Sequence, residues 1–284
     1  FPAAYLDIPH ERLVGALRAI GFDGVYEVAY GADIVSEEYA TSFRNLAERD
    51  DGSFMISSPC PAVVSYIEKV HPELIPYLAP IASPMEAMGR IIRQTVDPEA
   101  GIVFVGPCVA KKDEALRTDT IDEVLTFDEL LELFYEVSVQ PADAEESKFD
   151  PPRPDLGRIY PVTGGLLKAA SIDDDILVSP VYVVEGQERV VDILSVLSSR
   201  IANGEPVVNR FFDLLFCEGC IAGPAIPNDL TFYERRKYII NYMKSRSELE
   251  PGPPSELGVP VDLTVEFAPH AHQDREPTEE QIRE

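Results

Sequence analysis

Tryptophan is absent from these 284 residues, and cysteine, methionine and histidine occur only four times each. No run of about 18 apolar residues exists, which leaves no segment fit to be a membrane-spanning helix. Basic residues are scarce: 24 Lys and Arg against 50 Asp and Glu give a net charge of −26. That balance argues against nucleic acid and anionic membrane surfaces as partners. Solubility is its plain reading, and a docking surface for a basic partner is the sharper one. Four cysteines are too few for a disulfide scaffold in a chain this long. Cys-x-x-Cys spacing and strand-end placement fit a reduced, cytoplasmic metal or redox site better than two disulfides. The start at Phe1, without an initiator Met or signal pattern, and the charged end with Glu279, Gln281 and Glu284 suggest a piece of a longer polypeptide.

Helical spacing runs from Glu11 to Ile20, and Val25 to Tyr30 reads as a strand stopped at Gly31. Phe54 to Ile56 is a short strand, with a helix from about Ala62 towards Val70. Ser83-Pro84 opens a helix running to about Gln94, with Pro at its first position. Ile102 to Val105 is the clearest strand, and Lys111 to Glu114 starts a helix. Thr126 and Glu129 have capping-box spacing. Arg158 to Tyr160 reads as a strand, Val181 to Val184 and Arg210 to Phe216 as two more. Helices follow over Val190–Arg200 and Phe232–Met243. Residues 1–247 read as one domain, and 248–284 as a Pro-rich acidic tail that wraps the surface or leads to another domain.

This alternation predicts an α/β fold with mainly parallel sheets, in which ligands bind beyond the carboxyl ends of strands. Four loops meet that condition: Ser57–Pro61, Gly106–Cys108, Val162–Gly165 and Cys217–Gly223. Three of them carry all the cysteine, Cys60, Cys108, Cys217 and Cys220. Gly or Pro in each of these loops lets backbone come close to a bulky group. Four thiolates suit an iron–sulfur cubane or tetrahedral zinc, with redox thiols as a third reading. Zinc sites usually come as two close pairs, whereas here only one pair is close in sequence. His10, His71, His270 and His272 lie outside the four loops and read as surface residues. Met85 and Met88 sit at helical spacing and read first as packing.

Three segments carry a resemblance: Ser58-Pro59-Cys60-Pro61-Ala62, Gly106-Pro107-Cys108-Val109-Ala110-Lys111-Lys112-Asp113-Glu114, and Cys217-Glu218-Gly219-Cys220-Ile221-Ala222-Gly223-Pro224. In that order, and with Ala32-Asp33, Ser83-Pro84 and Thr163-Gly164-Gly165 between them, they resemble the signatures of the iron-only (FeFe) hydrogenase catalytic domain over roughly Phe1–Pro227. The resemblance implies two intertwined lobes with the H-cluster in the cleft between them. This is a 4Fe–4S cubane bridged to a two-iron subcluster carrying CO, cyanide and an amine-bearing dithiolate. By position Cys60, Cys108 and Cys217 would hold the cubane and Cys220 would bridge. Lys111 would hydrogen-bond a cyanide. Pro2 and Ala3 would approach the two-iron unit, and Ser83, Met85, Pro107 and Gly164 would line the site. Hydrogen, protons and ferredoxin or ferredoxin-like iron–sulfur domains would be the partners, with a PAS-type signalling domain as a further one.

The departures matter for function. Pro59 stands where the well-studied catalysts carry a relay cysteine, and proline has no proton to give. Gly106 and Met85 replace a usual methionine and glutamine, and the last pair is spaced Cys-x-x-Cys. These changes resemble the divergent, sensory branch of the family, which implies slow, reversible hydrogen turnover used for H2 sensing. Glu218, between two ligands, is the candidate replacement relay, with Glu37 and Glu38 on an outer leg. Capping or solvent exposure is the structural alternative for Glu218. A cubane-only scaffold or electron carrier, as in hydrogenase-like assembly proteins, is the alternative function.

Overall fold

The computed structural model describes residues 1–49, 51–173, 180–249 and 260–270. Its strands are β1 (Met55–Ile56), β2 (Val103–Gly106), β3 (Glu123–Thr126), β4 (Val181–Glu185) and β5 (Phe211–Leu215). The helices are α1 (His10–Ala19), α2 (Ala29–Ala47), α3 (Pro61–Val70), α4 (Pro84–Thr95), α5 (Ala110–Ala115), α6 (Phe127–Glu136), α7 (Gly165–Ala169), α8 (Gln187–Ala202) and α9 (Phe232–Leu249).

Two parallel sheets form the two lobes. One has the order β1-β5-β4, with Met55 opposite Phe211 and Val181 opposite Phe211 on the other side. The second pairs β2 with β3, Val103 opposite Glu123. Side chains alternate along a strand, so β5 packs two cores at once. Phe211 points into a cluster with Val35 and Tyr39 of α2 and Leu166 and Leu167 of α7. Phe212 and Leu214 point the other way, against Val63 and Ile67 of α3 and Val190 and Leu194 of α8. A strand buried on both faces reads as a continuous apolar run, as this one does apart from Asp213.

Local signals set the helix starts. Ser83 accepts from the Glu86 N–H with Pro84 at the first helical position, and Thr126 and Glu129 form the full capping box of α6. Two expected strands are corrected. Val25 to Val28 joins no ladder, and Tyr30 already lies inside α2. Gly31 is no stop signal: a Cβ there would sit 2.4 Å from the Pro84 carbonyl oxygen, so it is the glycine that lets α2 pack on α4. Arg158 to Tyr160 is not a strand either, since Leu156–Ile159 forms a 3-10 turn. That turn delivers Arg158 to Glu27, in a buried bidentate pair at 2.8 and 2.9 Å. Asp33 of α2 holds the same turn, accepting from the Asp155 and Gly157 N–H groups. The Val162–Gly165 loop therefore follows a 3-10 turn rather than a strand. β3 was not expected from sequence; its register with β2 supplies the pairing that a four-residue run cannot advertise alone.

Residues 260–270 wrap the surface as an extended strap. Ala82 N–H donates to the Leu263 carbonyl at 2.8 Å, Arg90 donates to the Asp262 carbonyl at 2.6 Å, and Leu263 is buried. The rest of the expected tail, with His272, Glu279, Gln281 and Glu284, lies outside the described residues. No helix among those described is long and apolar enough to cross a membrane.

Candidate metal centre

Three strand ends deliver the thiols. β1 leads through Ser57-Ser58-Pro59 to Cys60, β2 ends two residues before Cys108, and β5 ends two residues before Cys217. Cys60 is the N-cap of α3, with Pro61 at the first helical position. Its sulfur takes hydrogen bonds from the Phe216, Val63 and Ala62 N–H groups, an arrangement that favours negative charge on sulfur. Burial nevertheless pushes the free Cys60 thiol up. All four cysteines are free.

The loops are packed against one another. A Cβ on Gly223 would meet the Pro107 carbonyl oxygen at 2.6 Å, and Ala225 N–H donates to that same carbonyl at 3.4 Å. The Cys220 loop thus lies directly on the Cys108 loop, across the two lobes. Gly219 adopts φ +73°, a conformation that side chains resist, and turns the chain between the last two cysteines. Burial first, then the neighbouring Cys60 and Cys108 sulfurs, push Cys217 up to about 11 and Cys220 up to about 12. Cys220 is exposed, within electrostatic reach of the Cys60, Cys108 and Cys217 sulfurs and of Lys111.

Lys111, only 8% exposed, is the cation of the site. Its Nζ donates to Ser83 Oγ at 2.9 Å and to Glu114 Oε2 at 2.7 Å, and Ser83 Oγ donates to the other Glu114 oxygen. An ammonium has three N–H donors. Two are spent on Ser83 and Glu114, which fix its place, and its charge acts on Cys220. Ala3 packs with Val162, Ile221 and Ile239, and Pro2 is buried beside it. Gly164, at φ +72°, is the N-cap of α7. Thr163 donates to Glu185 at the end of β4, tying that loop to the larger sheet.

Other expected site residues are placed elsewhere. Met85 is 2% exposed and packs with Ile102, Ile121 and Val124, so it is core. Glu218 is a surface carboxylate with its side chain 59% exposed, 3.8 Å from Arg189. Glu37 and Glu38 are exposed on α2. Behind the Cys60 loop, however, lie polar groups that the motifs did not point to. Ser57 Oγ donates to Asp213 at 3.1 Å and accepts from the Leu214 N–H. Ser58 N–H donates to Tyr39 Oη at 2.9 Å, and the Ser58 hydroxyl lies 2.8 Å from the Ala79 carbonyl. The Tyr160 hydroxyl is buried without a partner among the described residues, within electrostatic reach of Tyr39, Asp213 and Cys220. The one sequence signal for this group is Asp213 itself, a charge inside an otherwise apolar run.

Known proteins share this arrangement of elements. The chain is 31% identical over 176 residues to Iron hydrogenase 1 of Clostridium pasteurianum, covering 56% of this chain and 31% of that protein. It is also 34% identical over 125 residues to a probable cytosolic Fe-S cluster assembly factor of Drosophila grimshawi, covering 40% and 25%. The chain thus spans about a third or less of these curated relatives. In three dimensions it resembles a variant of the FeFe-hydrogenase HydA1 from Chlamydomonas reinhardtii, with TM-score 0.69 at 17% identity, covering 94% of this chain and 89% of that one. That likeness is one of fold. Residues 1–224 match the model of the iron-only hydrogenase large subunit, C-terminal domain, and the chain belongs to that family.

Proposed function

We propose that this chain binds an H-cluster and reversibly converts hydrogen to protons and electrons, slowly, in the service of H2 sensing. The observation that carries the reading is the meeting of four free thiols from two sheets beside a buried lysine. A ligand set drawn from three separate strand ends suits a multi-iron cluster better than zinc, whose sites usually come as two close pairs. Cys60, Cys108 and Cys217 would hold the cubane and Cys220 would bridge to the two-iron subcluster. When bound, the group supplies the redox chemistry of hydrogen.

The chain's own residues supply position and charge. Lys111, held by Ser83 and Glu114, has one N–H left for an anionic ligand such as cyanide, a charge-assisted contact. Pro2, Ala3, Pro107 and Gly164 would line it with backbone. With Pro59 unable to carry a proton, Glu218 is the surface end of the replacement route. Replacing Glu218 by Gln should lower turnover about tenfold or more, while Glu218→Asp should retain most of it. Equal, unchanged rates in both variants would remove that role. Residues 1–247 would form the domain that does this, with ferredoxin-type carriers as partners.

Infrared spectroscopy after maturation with the two-iron subcluster tests the whole reading. Bands from CO and cyanide, with iron in excess of four atoms per chain, are the expected result. The similarity to an Fe-S cluster assembly factor favours a second reading, a cubane-only scaffold. It predicts four irons and no such bands, and zinc in place of iron would end both.

A further inference from the structure

Residues 260–270 carry an alternation of their own. Leu263 is buried and Val261, Val265 and Phe267 are half-buried, while Asp262, Thr264, Glu266 and Ala268 between them are exposed. Period two is the pattern of an extended segment lying on a surface. Thr264 bridges Ile81 in the antiparallel sense, and Val265 N–H donates to the Pro80 carbonyl at 3.2 Å beside the bond from Ala82 N–H to the Leu263 carbonyl. One face of α4 grips the same segment. Arg90 donates to the Asp262 and Thr264 carbonyls at 2.6 and 3.1 Å, and Gln94, one turn on, to the Pro260 carbonyl at 3.1 Å. Leu263 enters the core cluster of Ile81, Ala82 and Tyr39, and Phe267 packs, as Cys60 does, against the cluster of Val63 and Ile67.

Two routes lead from this strap to Lys111. The first runs through α4, whose N-cap Ser83 follows Ala82 directly and accepts from Lys111 Nζ at 2.9 Å. The second runs through Glu68 in the last turn of α3, only 3% exposed. Its side chain accepts from the Ala268 N–H at 3.4 Å and from Arg117, and its carbonyl accepts from the His270 N–H at 3.1 Å. Removing a partner from a buried charge is costly, so Glu68 and the strap hold each other. Arg117 N–H donates in turn to the Glu114 carbonyl at 3.0 Å, and Glu114 is the carboxylate that Lys111 Nζ meets at 2.7 Å. Both groups that hold the lysine are therefore backed by the strap.

We propose that residues 260–270 are a positioning strap for Lys111. Docked, the strap fixes Ser83 through the start of α4 and Glu114 through Glu68 and Arg117; released, it frees the ammonium from both. The purpose, an ammonium aimed at an anionic ligand of the cluster, rests on the hydrogenase reading, whereas the coupling itself does not. The strap is built to be released. One buried leucine, three half-buried side chains and hydrogen bonds along a single edge make a segment of low local stability, able to open without the lobes unfolding.

Acetylation by acetic anhydride needs an amine that is exposed and has lost its proton, so a buried, held ammonium reacts slowly. The test is the rate at which Lys111 is acetylated in the metal-free 284-residue chain, read by fragment mass spectrometry against Lys112, whose side chain is 42% exposed. Leu263→Ser, which withdraws the anchor, and Ala268→Pro, which deletes the N–H that Glu68 accepts, should each speed Lys111 about tenfold or more and Lys112 less than about twofold. Leu263→Met should keep the slow rate, and Glu266→Ser, on the outward edge, should change neither lysine. Should Leu263→Ser fail to fold, Ala268→Pro decides alone, since residue 268 is exposed. A parental Lys111 rate in Ala268→Pro, or equal acceleration of both lysines, would overturn the strap's role. Infrared spectra of matured protein are read separately. Cyanide bands that shift in Ala268→Pro would support the purpose. A matured parent without such bands, but with Lys111 responding to the strap, would count against the hydrogenase reading and for the coupling.

Discussion

Cys220→Ala should abolish hydrogen turnover, by more than about a thousandfold, equivalent to about 4 kcal/mol of barrier. The same variant should melt, without metal, within about 1 kcal/mol of the parent, as expected for an exposed residue away from core and caps. The contrast is the informative part. The Cys220 sulfur lies within electrostatic reach of those of Cys60, Cys108 and Cys217 and of Lys111, so its loss would subtract one of the four proposed ligands without subtracting core. The CO and cyanide bands should vanish from matured protein. A variant that kept both bands and turnover would deny Cys220 its bridging position, and with it the proposed chemistry.

Asp213→Asn should change how stability depends on pH. Asp213 is 2% exposed, and burial raises its carboxyl from 3.8 to about 6 against the opposing hydrogen bond from Ser57. The unfolded chain releases this proton near pH 4 and the folded chain near pH 6. Between those values the folded state binds more protons, so raising pH destabilises it. Holding the proton over that interval is equivalent to about 3 kcal/mol. The metal-free parent should lose about that much stability relative to Asp213→Asn as pH rises from 4 to 6, with the difference constant above about pH 7. Asp33, raised to about 6 by burial in the same way, contributes equally to both proteins and cancels in the comparison. Denaturant titrations at a series of pH values measure this; parallel profiles for the two proteins would show that Asp213 is not buried as described.

Asparagine at this position keeps an acceptor for the Ser57 hydroxyl, so the comparison isolates charge from hydrogen bonding. The link matters beyond stability. Ser57 and Ser58 precede Pro59-Cys60, and Asp213 lies on the strand that leads to Cys217. The same hydrogen bond thus ties one thiol-bearing loop to the strand that feeds another.

Residue type and spacing were enough for much of this. The apolar runs before Cys60, Cys108 and Cys217 announced strands, and Ser83-Pro84 and Thr126–Glu129 announced helix starts by local capping chemistry. Such signals are short-range, involving groups within four residues, and need no partner elsewhere. Where a long-range partner decides the conformation, sequence reading failed. Gly31 looked like a stop and is a contact point with Pro84. Arg158-Ile159-Tyr160 looked like a strand, but the buried pairing of Arg158 with Glu27 belongs to a 3-10 turn.

The sequence alone pointed to a thiol ligand set, because only four thiols exist and all stand in loops at the ends of predicted strands. Tertiary structure alone decided which groups surround them. Ser83 holding Lys111, and Asp213 and Tyr160 behind the Cys60 loop, are contacts between segments remote in the chain. Burial and proximity are properties of packed elements, and neither is written in the spacing of any one of them.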